Sequence, residues 1–159
     1  MAKNGFTSNR KQVDAQFERN IAKTLTSLGY KAVENAAKEI GRQPRFGPDA
    51  GNAMGAIDTG RLRASISFVT PNKQSGFVEG RVKESRDSDT MSGTAEKNTV
   101  MVGTNVEYAP FVELGTVKMT ARPFLGNAIN NHQDDYKEIV EAIMGEGFGV
   151  SGEQSQVSS

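Results

Sequence analysis

The chain has 159 residues, enough for one domain with a modest core. Hydrophobic residues make up 36% and aromatics 7%, with no Trp, so the ordered part is expected to be smaller than the whole. Lys plus Arg and Asp plus Glu both number 19, and the zero net charge argues against a grip on nucleic-acid phosphates. Cys is absent, which excludes disulfides and thiolate metal sites. No apolar run approaches a membrane span, and Met-Ala-Lys-Asn-Gly-Phe has no secretory h-region, so a cytoplasmic origin is expected.

Residues 1–10 read as a disordered N-terminal arm, and 11–144 as a single domain. From Val13 the apolar residues Val13, Phe17, Ile21, Leu25, Leu28, Ala32, Ala36 and Ile40 recur every three or four positions. That is one stripe of a long helix, expected to stop at Gly41 before Pro44. Residues 41–57 form a Gly- and Pro-rich loop. Asp58-Thr59-Gly60-Arg61-Leu62-Arg63 reads as a short helical turn capped by Asp58 or Thr59. Residues 64–70 alternate as a half-buried strand, 71–76 turn, and 77–83 make a weaker hairpin partner. Residues 84–98 are almost devoid of apolar side chains and read as a mobile loop.

Residues 99–104 form a compact strand, and Glu107–Leu114 a short helix. Pro110 falls in its first turn, and Gly115 is expected to supply a left-handed cap. Tyr108, Phe111 and Leu114 give that helix an apolar face. A loop over 116–121 leads to Pro123, which opens the last helix. The face of that helix is Leu125, Ala128, Ile129, His132, Tyr136, Ile139, Val140 and Ile143. From Gly145 the chain reads as a disordered tail. The fold class is α+β: a long N-terminal helix and a C-terminal helix packed on a small, mostly antiparallel sheet.

Catalytic chemistry finds little support. His132 is the only histidine and lies on an apolar stripe, as a packed or interface histidine does. Nothing has metal-ligand spacing, and no cofactor motif stands in its proper context; Gly145-Glu-Gly-Phe-Gly149 follows a helix where a phosphate loop follows a strand. Glu107 and Glu113 are too far round a short helix to act as paired acids.

Two segments together resemble a known pattern. They are Asp58-Thr-Gly-Arg-Leu-Arg-Ala-Ser-Ile66 and Val102-Gly-Thr-Asn-Val-Glu-Tyr-Ala-Pro-Phe-Val-Glu-Leu-Gly-Thr116, the latter followed by Ala121-Arg-Pro-Phe-Leu125. They resemble the tail-completion, or head–tail joining, family of long-tailed bacteriophages, which includes Z-type minor tail proteins. The likeness spans about residues 13–144. It implies a non-enzymatic virion component, made in the host cytoplasm and acting between the head connector and the tail tube. Its partners would be other copies of itself, in a ring with a hexamer favoured, and neighbouring tail or neck proteins. The candidate interface or structural residues are Asp58, Thr59, Gly60, Leu62, Gly103, Tyr108, Phe111, Glu113, Gly115, Thr116, Arg122, Pro123 and Phe124. Arg122 is placed to pair with Glu113 or with a neighbouring subunit. The first helix, the 84–98 loop and the flanking tails are candidate neighbour contacts.

Three other readings remain open at this point. The protein could be a tail terminator or another connector ring such as an adaptor or stopper. It could be a nucleic-acid-binding module using Arg10, Lys11, Arg61 and Arg63. It could be a hydrolase using Glu107, Glu113 or His132.

Overall fold

A computed structural model describes residues 9–42, 54–72, 74–76 and 87–147. The expected strand at 77–83 therefore lies outside the described residues, as do 1–8, most of the 41–57 loop, and the tail from 148.

Helix α1, Arg10–Arg42, is the spine. It passes through Gly41 where a stop was expected. The apolar stripe is covered unevenly along it. Val13 is 55% exposed and Phe17 41%, Ile21, Leu25 and Leu28 are half-buried, and Ala32, Ala36 and Ile40 are buried. Among the described residues the C-terminal part of α1 is the part that neighbours bury, and residues 9–19 are exposed.

Helix α2 spans Met54–Ser65. It replaces the end of the expected loop, the capped turn and the first two residues of the expected strand. Asp58 and Thr59 thus fall inside the helix and cannot be its caps. Strand β1, Ser67–Val69, is the centre of a three-stranded antiparallel sheet and is buried at all three residues. Its neighbours are β2, Gln74–Gly76, and β3, Met101–Gly103. Phe68 pairs with Val102 on one side and Gly76 on the other, with a bulge after Phe68. The hairpin partner of β1 therefore begins within the stretch expected to be a turn.

The six-residue α3, Ala109–Leu114, is shorter than expected at its start, with Tyr108 at its N-cap. The expected single last helix is two, α4 (Phe124–Asn130) and α5 (Gln133–Gly147), broken at Asn131 and His132. The run Asn130-Asn131-His132 holds weak helix formers, and His132 turns towards Glu39 of α1. With His132 against Glu39 and Asp135 against Lys31, α5 runs antiparallel along α1. Among the described residues, no helix is long and apolar enough to cross a membrane.

The core is one cluster. Val33, Ala36 and Ile40 of α1 meet Leu62, Ile66, Phe68, Val106, Ala109, Phe124 and Ala128. Gly29 is required where α1 crosses the sheet: a Cβ there would run into the ring of the buried Phe68. Tyr30 packs edge-on to the same ring, with centroids 4.9 Å apart. Helix propensity alone favours alanine over glycine by about 1 kcal/mol. Overpacking a fixed ring costs about 1–3 kcal/mol. Gly29→Ala is therefore expected to lower stability in urea unfolding, against the propensity scale.

Candidate functional site

The two resemblance-bearing segments are brought together by a polar latch. Arg61 of α2 reaches Asp89 with two parallel bonds, Nε to Oδ2 at 2.8 Å and Nη2 to Oδ1 at 2.7 Å. Such a fork matches a carboxylate in shape as well as charge. The bonds from Asp89 hold the guanidinium above its ordinary pKa, against the opposing effect of burial. The same guanidinium lies over the Tyr108 ring, 6.0 Å from its centroid. Ser65, at the end of α2, shares a 2.6 Å hydroxyl contact with Thr104, just after β3. The carbonyl of Asp89 accepts from Asn105 N–H and from Thr104 Oγ1.

The 84–98 segment is therefore tied down along its described part. It begins with a short 3₁₀ turn, Asp87–Asp89. Met91 N–H donates to Ser67 Oγ of β1, the Met91 sulfur lies against Gly103, and Ala95 is buried. Asp89 is the residue that reading the sequence missed. Its partner lies 28 positions away, and no local pattern reports such a pair.

The second segment folds into a rigid corner. Glu113, at the end of α3, accepts from the N–H groups of Leu125 and Gly126 at 3.0 and 2.9 Å. These are two of the free donors in the first turn of α4, whose N-cap Pro123 offers no side-chain bond. A carboxylate there also suits the positive end of the helix. The expected ion pair of Glu113 with Arg122 is thus not what forms. The backbone N–H of Arg122 instead donates to Val112 O at 2.7 Å, closing the corner. Glu113→Ala should cost about 1–2 kcal/mol in urea unfolding, the scale of a lost cap with its donors stranded. Glu113→Gln should recover part of that.

Gly115 has φ +76° and ψ 175°. Positive φ was expected, but ψ is extended, so the residue is not a left-handed helical cap. It turns the chain sharply into a tight hairpin in which Thr116 and Met119 exchange backbone bonds of 2.8 and 3.2 Å. Val117 stands fully exposed at its tip.

The candidate residues now separate by position. Leu62, Gly103 and Phe124 are buried and belong to the interior. Asp58, Thr59 and Gly60 lie along α2, where a Cβ on Gly60 would meet nothing. Tyr108 is half-buried over Arg61; Glu113, Gly115, Arg122 and Pro123 build the corner. Phe111 and Thr116 face solvent. Phe111 is 58% exposed and Leu114 78%, so the expected apolar face of α3 looks outward. Val117, three residues on, is exposed as well.

Of the cations in the nucleic-acid reading, Arg61 is committed to Asp89, and Arg10 lies 3.9 Å from Asp14. The acids of the hydrolase reading are also placed. Glu113 caps α4, and Glu107 is exposed in the turn before α3. No group of three or more metal-ligating side chains gathers among the described residues. Comparison of the chain with family models, curated proteins and solved structures finds no match.

Proposed function

We propose that this protein is a structural, non-enzymatic virion component of a long-tailed phage. In this reading it completes the tail and joins it to the head connector as part of a neck ring. The observation that carries the reading is the exposure of the large apolar side chains Phe111, Leu114 and Val117 around a corner braced by Glu113, Gly115 and Arg122. Large apolar side chains presented by a rigid support are what a contact surface needs. The exposed first turns of α1, with Val13 55% exposed, offer a second and different surface. Two unlike surfaces on one chain suit a head-to-tail ring, in which each copy offers one face to the next.

The resemblance supplies the setting, and its two segments meet directly through Ser65–Thr104 and indirectly through Asp89, which lies outside both and binds Arg61 and the Asn105 N–H. Electron microscopy of particles made without this protein tests the reading. Heads and tails that fail to join, or tails with defective ends, are expected. Normal infectious particles would overturn it.

A further inference from the structure

Asn35 is the buried middle of a polar row on α1. Lys31, Asn35 and Glu39 stand four residues apart, on one face of the helix. The row meets the start of α5 and the residue before it. Lys31 lies 3.6 Å from Asp135, and Glu39 lies 3.2 Å from His132. Between them, Asn35 Nδ2 donates to Asp135 Oδ2 at 3.5 Å and to the Tyr136 hydroxyl at 3.3 Å. That hydroxyl in turn donates to Ala128 O of α4 at 2.8 Å. One amide on α1 thus holds α5 directly and α4 through a phenol.

Stability alone does not explain an amide at this place. Asn35 is 0% exposed, and its Oδ1 receives no hydrogen bond, the one such side-chain atom among the described residues. The orientation is forced, because an amide facing a carboxylate must present its NH2 and turn its carbonyl away. The two bonds it makes are longer than the usual N–H···O range, and the cost of a buried acceptor without a donor outweighs what such bonds contribute. Leucine has nearly the same size and would strand neither partner. Asp135 keeps Lys31 and has a side chain 40% exposed, and Tyr136 keeps Ala128 O.

What the amide supplies is position. The buried residues beside it on α1 are Ala32, Ala36 and Ala37. Alanines give a helix surface little relief, so apolar packing there separates neighbouring placements of α4 and α5 only weakly. Hydrogen bonds are directional, and a slip of one helical turn, about 5 Å, breaks both of those that Asn35 makes. A buried asparagine between coiled-coil helices acts in the same way, fixing register at a cost in stability. We propose that Asn35 is a placement pin, which fixes where α4 and α5 sit on α1 and makes the fold less stable than an apolar residue would. The pin belongs to the folded chain and does not depend on where the protein is assembled.

The test compares the full-length wild type with Asn35→Leu and Asn35→Met, the second because methionine adapts its shape where leucine does not fit. The unfolding constant in urea should fall on the order of tenfold in the better-fitting variant. Placement is read separately. The chain has no cysteine, so Arg19→Cys on α1 and Glu138→Cys on α5, both at exposed positions, carry the only spin labels. Double electron–electron resonance should give one narrow distance with Asn35 in place, and a broadened or two-peaked distribution in both apolar variants. If both variants unfold more readily than the wild type, the pin is overturned. A single narrow distance in either variant, or a broad one with Asn35 in place, would overturn it as well.

Discussion

Gly115→Ala is expected to destabilise the protein by about 3 kcal/mol or more, a large share of the stability of a domain this size. Two causes act together. With φ at +76° and ψ at 175°, the backbone sits in a region that side chains essentially exclude. The added Cβ would also stand 2.6 Å from Ala121 N and 2.8 Å from Met119 O. Both contacts are backbone, so no side chain can swing aside. The turn must open, which breaks the paired bonds between Thr116 and Met119 and pulls Arg122 away from Val112. Urea unfolding should show the loss. A midpoint within error of the wild type would mean that the corner is not rigid.

Phe124→Ala is expected to cost about 3–5 kcal/mol, the range for deleting a fully buried aromatic ring. Phe124 is 1% exposed and lies in the core cluster with Val33, Leu62, Phe68 and Val106. It also opens α4, whose first turn is capped by Glu113. The cavity would therefore form where α3, α4 and α1 converge. The aromatic of the Pro-Phe pair thus serves packing, and an interface role for it would show as the opposite outcome: lost assembly with unchanged stability.

The sequence carried the long α1, the strands around Phe68 and Val102, the short α3 and the positive φ at Gly115. Each has a local signal: a three-to-four repeat, an apolar run, a proline in a first turn, a glycine after a helix. Where the signal was not local, the reading failed. Gly55, at the end of a Gly- and Pro-rich run, made the start of α2 look like loop, because a glycine weakens a helix by about 1 kcal/mol. Burial of Leu62 in the core overrides that penalty. Asp89 stands in a stretch with few apolar residues, and only the fold brings Arg61 to it.

Arg122, across a loop from Glu113, is placed by the sequence to pair with it or with a neighbouring subunit. The stranded N–H groups of Leu125 and Gly126 are the partners Glu113 takes. The break at Asn131 and His132 did leave a trace, the polar run Asn130 to Gln133, which a stripe drawn through His132 passes over. Periodicity also marks which side chains share a face without saying what covers it. Val13 and Phe17 belong to the same stripe as Ile40, yet Ile40 is buried and they are not.

The central claim is that the outward edge of α3 makes the contacts by which this protein works. Phe111→Gln with Leu114→Lys tests it most directly. Both side chains face solvent, so the urea midpoint should stay within about 0.5 kcal/mol of the wild type. When the variant is supplied to particles lacking the wild-type protein, it should be missing from purified virions, and infectious titre should fall by orders of magnitude. Normal incorporation with normal titre would contradict the account.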